Sequence, residues 1–471
     1  MKKISLLLII FWISSLAMAQ TDPYERAINS FQLLYNEGKY DQIFESFSQE
    51  MKQALPLKNT KQFLANLNNE VGKIEGVEYV TFQQGTYAVY KANFEWALMT
   101  INVALDDEHK ITGLYIKPYE NLAQTGETTL DDLDGYPEEI RSIIFEKTKD
   151  LPNQARLSIA IIQNGEVKNY GVKKIEGKIS PEENHTNLFE IGSITKVFTS
   201  SVLASLVLKN QLELKDEINS YFDFQFNKGL KLDFESLSNH TSGLPRLPEN
   251  LDLSIAENPY KAYGQKELEA YLRNLMVRKK GSYGTFTYSN LGVGLLGYTL
   301  GLSQKTTFQD LLQKEIFDKY GMNQSYTSAQ NLGDRLVKGL DYDGYEVSNW
   351  DFDVLFGGGG IISSTEDLSK FALAQFDPTN LELELTRQPT HLIGEDSSIG
   401  LGWHIETSKN KINTYWHNGS TGGYSSCIVV NVDREKAVIV LSNVYGINET
   451  IDELTFELLS VTKNTTASKT N

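Results

Sequence analysis

Ser193-Ile194-Thr195-Lys196 is the stretch of this chain best equipped for chemistry. A serine three residues before a lysine places both side chains on one helical face, one turn apart. At that spacing an amine reaches a hydroxyl, which activates a weak nucleophile without histidine. A lone Ser-x-x-Lys is a common chance match. Two later pieces give it meaning: Tyr288-Ser289-Asn290, and His417-Asn418-Gly419 followed by Ser420. Taken singly, Tyr288-Ser289-Asn290 reads as a plain β-turn and His417 as a strand-edge histidine.

The run from Ser193 to Leu208 carries apolar and small residues nearly all round, so the spacing predicts a buried helix. A lysine at its start needs a reason, because an unpaired buried charge is costly. Catalysis is one reason. Snorkelling to water, with Ser193 as an ordinary N-cap, is the other. Gly192 permits a tight turn into the helix. A serine there feels the positive end of the helix dipole, which favours a developing oxyanion.

Five segments together resemble a known family. They are Phe189-Glu-Ile-Gly-Ser-Ile-Thr-Lys196, Asn239-His-Thr-Ser-Gly-Leu-Pro245, Tyr288-Ser-Asn-Leu-Gly292, Gly358-Gly-Gly-Ile-Ile-Ser-Ser364 and His417-Asn-Gly-Ser-Thr-Gly-Gly-Tyr424. The series resembles the serine β-lactamase and penicillin-binding-protein superfamily over roughly residues 135–460. Within it the match is to the branch of class C β-lactamases, DD-carboxypeptidases, D-amino-acid peptidases and esterases. The resemblance implies a two-lobed α/β (α+β) domain with its site between an antiparallel sheet and a helical lobe.

It also implies roles. Ser193 would attack a carbonyl carbon and form an acyl-enzyme, with Lys196 or Tyr288 as base. Asn290, His417, Asn418, Gly419 and Ser420 would bind substrate. The backbone N–H groups of Ser193 and Ser420 would form the oxyanion hole. Most β-lactamases of the family carry lysine where His417 stands, and many carry threonine where Asn418 stands. Histidine is largely neutral near pH 7. That shifts the expected substrate away from carboxylate-bearing β-lactams and toward D-amino-acid amides or esters. His240, in Asn-His-Thr-Ser-Gly-Leu-Pro, reads as a structural turn beside the site and not as a triad base. No Gly-x-Ser-x-Gly elbow surrounds Ser193.

Composition agrees. The chain has 471 residues, 40% hydrophobic and 22% charged, which suits a soluble globular protein of two or three domains. A net charge of −17 argues against nucleic acid and against anionic lipid. Cys427 is the single cysteine and lies in an apolar strand pattern, so it reads as a small core residue. The histidines, at 109, 185, 240, 391, 404 and 417, lack zinc-site spacing, and no glycine loop leads into a phosphate-binding lysine. No metal or cofactor is expected. The expected partner is a small-molecule or peptidoglycan-derived substrate, with the oligomeric state open.

Residues 1–19 read as a secretory signal: Lys2-Lys3, an apolar run from Leu6 to Leu16, then Ala17-Met18-Ala19. Export to the periplasm or beyond follows, with no membrane span after cleavage. Residues 20–120 read as a small α+β module. Two amphipathic helices from Tyr24 to Leu55, broken at Gly38, carry Phe31, Leu34, Ile43 and Phe47 as core candidates. A further helix follows from Phe63 to Val71, then four β-rich stretches. The module resembles the small cone-shaped fold of nuclear transport factor and ketosteroid isomerase, with a lid, dimer-surface or ligand-shell role expected. Residues 121–134 read as a linker, 135–462 as the hydrolase domain and 463–471 as a disordered tail. Asn164-Gly165 between apolar runs predicts a hairpin. The function expected is an exported serine hydrolase. The alternative is a non-catalytic or slowly deacylating penicillin- or peptidoglycan-binding sensor that keeps the same residues.

Overall fold

The computed structural model describes residues 23–83, 87–118, 129–252, 258–278 and 281–461. The expected leader (1–19), most of the linker (121–128) and the tail (463–471) lie outside the described residues. The chain divides into two compact units, residues 1–127 and 128–471.

The first unit begins with a helix over 23–36. Gly38 then takes φ +68°, a left-handed conformation that stops a helix. Helices Tyr40–Glu45, Gln49–Ala54 and Leu57–Val71 follow. The stretch to residue 54 thus holds three helices where two were expected. The extra break falls at Ser48, whose side chain accepts the Met51 N–H and caps a new helix. Four antiparallel strands, Ile74–Gln83, Tyr87–Phe94, Leu98–Leu105 and Ile111–Pro118, pair in sequence order. Their inner face buries Tyr90, Ile101 and Val103 against Phe31, Ile43 and Phe47, while Leu34 is only partly buried. Helices followed by an antiparallel sheet make this an α+β module.

The second unit is built on an eleven-stranded sheet. At its centre Lys436–Ser442 lies between Ser425–Asn431 and Arg156–Gln163, so strands from both ends of the unit meet, with Ile439 opposite Ala160. The two C-terminal strands are buried along their whole length, which explains why they read as continuous apolar runs rather than alternating ones. One face packs on helices Glu138–Thr148 and Asn448–Ser460 through Ile144, Ile451 and Leu454. The other face packs on the helical lobe, including Thr195–Leu208 and Asn290–Gln304. The Asn164-Gly165 hairpin forms, with both residues at positive φ as a tight two-residue turn requires. One expectation needs correction. The unit begins before residue 135: Leu130–Asp131 pairs with Lys178–Pro181, and Leu133 is fully buried. That edge pairing is parallel, in a sheet otherwise antiparallel as expected.

Candidate active site

Ser193 sits in a short 3-10 turn, Gly192–Ile194, that runs directly into the buried helix Thr195–Leu208. The turn is possible because residue 192 is glycine. Its φ is +51°, and a Cβ there would come within 2.6 Å of the Ser420 nitrogen. Gly419 is required for the converse reason: a Cβ there would lie 2.1 Å from the Ile191 oxygen and 2.9 Å from the Ser193 nitrogen. These two glycines bring the backbone of the nucleophile turn against the edge of strand Asn413–Ser420. The Ser426 hydroxyl fastens the junction by donating to the Ile191 carbonyl at 2.9 Å.

Lys196 is fully buried. Its Nζ lies 2.8 Å from Ser193 Oγ and donates to the Gly358 carbonyl at 2.6 Å. The glycine segment before Ile361 is docked along the same helix. Thr199 Oγ1 donates to the Gly357 carbonyl at 2.8 Å, and Thr195 Oγ1 accepts the Ile361 N–H at 3.1 Å. No carboxylate pairs with Lys196 among the described residues. Burial, with the Arg246 guanidinium adding to it, drives the amine well below the ordinary lysine range. That shift favours the uncharged form of the amine.

Tyr288 faces the same hydroxyl. Burial pushes its phenol up to about 12, while a hydrogen bond with Ser193 and the Arg246 charge pull the other way. The Lys196 Nζ lies 5.0 Å and the Arg246 guanidinium carbon 5.2 Å from the centre of its ring. Next in sequence, Ser289 caps helix Asn290–Gln304 by accepting the Gly292 N–H. That cap aims Asn290 into a pocket it lines with Ser193, Ser420, Tyr260, Trp350 and Phe352. Asn290 Oδ1 is buried and has no partner among the described residues. The three aromatic residues form a wall, with Tyr260 and Phe352 stacked at 4.4 Å.

His417 is buried, and its Nδ1 lies 2.6 Å from the Asn418 carbonyl. A carbonyl only accepts, so Nδ1 carries the proton and Nε2 is bare, without a partner among the described residues. Burial, with His404 and Lys196 nearby, holds its pKa well below the ordinary histidine value, and His404 itself is lowered to about 4. This edge of the cleft supplies hydrogen bonding without charge.

Asn418 departs from expectation. Its side chain donates to Asp452 on the C-terminal helix at 2.7 Å. Strand side chains alternate, so a strand that aims His417 and Gly419 at Ser193 turns Asn418 to the other face. Its side chain does not belong to the substrate cleft. Sequence reasoning missed Arg246, Tyr260, Trp350 and Phe352. Arg246 alone had a signal, since it follows Asn-His-Thr-Ser-Gly-Leu-Pro directly. It also missed buried Glu190, which accepts from Asn349 Nδ2 (2.7 Å) and the Trp350 N–H (3.0 Å) and so anchors the aromatic loop. Among the described residues, no three His, Cys, Asp or Glu side chains gather as a metal site.

The Beta-lactamase family matches residues 148–462, two-thirds of the chain. The chain belongs to this family. Residues 29–114 match a protein family of unknown function, DUF3887. A Beta-lactamase of Pseudomonas fluorescens is 27% identical over 60% of this chain and 79% of its own length. Penicillin-binding protein 4* of Bacillus subtilis is 27% identical over 55% and 61%, and Protein flp of Staphylococcus aureus 24% over 61% and 59%. The chain thus spans about three-fifths of the length of the latter two. Among solved structures, a class C β-lactamase from Rhodobacter sphaeroides has a TM-score of 0.57 at 18% identity, covering 68% of this chain and 98% of its own. A β-lactamase/D-alanine carboxypeptidase from Pseudomonas syringae also has a TM-score of 0.57, at 19% identity over 69% and 98%. These likenesses establish the β-lactamase-like fold. Family membership makes the chain a serine hydrolase of the β-lactamase and penicillin-binding superfamily.

Proposed function

We propose that this family member is an exported hydrolase working through an acyl-enzyme on Ser193. The observation that carries the reading is the fully buried amine of Lys196, 2.8 Å from Ser193 Oγ. Of the two candidate bases, burial favours the proton-accepting form of Lys196 and the protonated form of Tyr288. Lys196 takes the serine proton as Oγ attacks the substrate carbonyl. The oxyanion forms between the N–H groups of Ser193 and Ser420, whose segments Gly192 and Gly419 bring together. Tyr288 then gives its proton to the leaving amine or alcohol and regains one from Lys196. A water, deprotonated by the same pair, releases the acyl group.

The substrate class follows from charge. With His417 neutral, the cleft favours small esters or D-amino-acid amides over carboxylate-bearing β-lactams. Asn290 holds the substrate amide. The names of the relatives, β-lactamase, penicillin-binding protein and D-alanine carboxypeptidase, bracket this range. Export rests on the leader-like residues 1–19. No helix among the described residues is long and apolar enough to cross a membrane.

Intact-mass spectrometry after a reactive acyl donor tests the reading. One adduct should map to the Ser193 peptide, and Ser193→Ala should abolish both adduct and turnover. An unchanged rate in Ser193→Ala would overturn it. An adduct that forms and never leaves would move the protein to a slowly deacylating penicillin-binding role.

A further inference from the structure

His240 is the motif residue that the acyl-transfer scheme leaves without a job. It is buried and adopts φ +62°, a left-handed conformation uncommon outside glycine. Relief of backbone strain alone would favour glycine or asparagine there. What the histidine does in return is visible on both sides of Tyr288. Its carbonyl accepts the Thr287 N–H at 2.8 Å, and its Nδ1 accepts the Ser289 N–H at 3.1 Å. Its ring lies against the Tyr288 ring, with centroids 4.4 Å apart and planes 32° apart. One residue thus grips the chain before and after Tyr288 and walls the phenol from one side.

We propose that His240 is a positioning residue that holds the Tyr288 hydroxyl in register with Ser193 and Lys196. The inference rests on the acyl-enzyme reading above. An amide N–H can donate only to a bare ring nitrogen, so Nδ1 carries no proton and Nε2 carries it. The acceptor lone pair of the ring is therefore occupied, and His240 is not free to act as the base for Ser193. The groups facing this corner, Lys196, Arg246 and His404, all disfavour an imidazolium, and burial disfavours it most. His417 lies across the Tyr288 ring at 6.2 Å and is itself neutral. The grip on Ser289 therefore persists across the working pH range.

A double-mutant cycle tests this. His240→Gly keeps the positive φ and removes both ring and acceptor. His240→Asn keeps the φ and supplies an oxygen where Nδ1 accepted the Ser289 amide. His240→Gly should lower kcat on a nitrophenyl ester about 10²-fold with KM nearly unchanged, the scale of a displaced catalytic group. His240→Asn should recover part of that loss. Combined with Tyr288→Phe, neither substitution should lower kcat further, because the hydroxyl being positioned is already gone. An equal loss with and without Tyr288→Phe, or full activity in His240→Gly, overturns the inference. Should His240→Gly fail to fold by circular dichroism, His240→Asn is read alone. A kcat loss seen with Tyr288 and absent in the Tyr288→Phe background supports the proposal, and any other pattern overturns it. A fully active Tyr288→Phe would instead bring down the acyl-enzyme roles themselves.

Discussion

The two ends of helix Thr195–Leu208 solve the same problem in opposite ways. Lys196, in the first turn, is fully buried and has no counter-ion among the described residues. Lys209, just past the last turn, is half-exposed and pairs with Glu315, to which Ser205 Oγ also donates at 2.7 Å. Burial pushes the Glu315 carboxyl up, but the hydrogen bonds from Lys209 and Ser205 outweigh it and leave it below its usual range. The helix dipole acts in the same sense at both ends. It disfavours a cation at the N-terminus and favours one at the C-terminus. One lysine is thereby buried against the nucleophile without a counter-ion, the other paired at the surface. The difference marks where the fold accepts an unfavourable burial in return for chemistry.

The strongest way to break this contrast is to remove each lysine in turn. Lys196→Ala should lower kcat/KM by about 10²–10⁴-fold, the usual scale of general-base help. Lys209→Ala should leave turnover intact and cost about 1 kcal/mol in urea unfolding, by leaving Glu315 with a hydroxyl partner only. Loss of turnover in Lys209→Ala, or its survival in Lys196→Ala, would show that the two ends are not divided in this way.

A smaller effect is expected from adding the missing charge. His417→Lys places a cation at the neutral edge of the cleft. At an effective dielectric of about 20, a charge about 4 Å from a carboxylate is worth up to about 4 kcal/mol before desolvation. A third of that is roughly tenfold. The kcat/KM ratio of a carboxylate-bearing cephalosporin to a neutral nitrophenyl ester should therefore rise about tenfold over wild type. A wild-type enzyme that already prefers the cephalosporin would remove the argument that neutrality at residue 417 sets the substrate.

The N-terminal end of that helix was legible before the fold because its logic is local. Ser193 and Lys196 lie one turn apart on a single helix, and Asn164-Gly165 carries its own turn chemistry. The alternation that turns Asn418 toward Asp452 was also present in the strand pattern, but the motif was read as a unit rather than face by face. Arg246, Tyr260, Trp350 and Phe352 reach the site from loops with no period, so only tertiary structure brings them together. Leu130–Asp131 escaped for a related reason. A two-residue strand has no periodicity, and its polar surroundings read as linker. In the first unit, the Ser48 cap that splits the second helix is a short-range signal that hydrophobic spacing alone passed over.

The smallest expected effect is on stability rather than rate, and it isolates Lys196 from all other groups. An amine whose folded pKa lies well below 10.5 binds a proton in the unfolded chain that it lacks in the native one. Between those two values the unfolded state holds more protons, so stability rises with pH by up to about 1.4 kcal/mol per unit from this group. Glu190 contributes the opposite sign in a separate window. Burial raises its pKa from 4.5 to about 7, so the native state keeps its proton longer and stability falls as pH rises through that range. By pH 9, about two units above that value, the Glu190 contribution has levelled off, which leaves the lysine contribution distinguishable. Urea unfolding at pH 9 and pH 10, just below the unfolded lysine value, should show wild type gaining more stability over that step than Lys196→Met does. If Lys196→Met gains as much as wild type, Lys196 is already charged in the folded protein, and the two ends of the helix differ less than their surroundings imply.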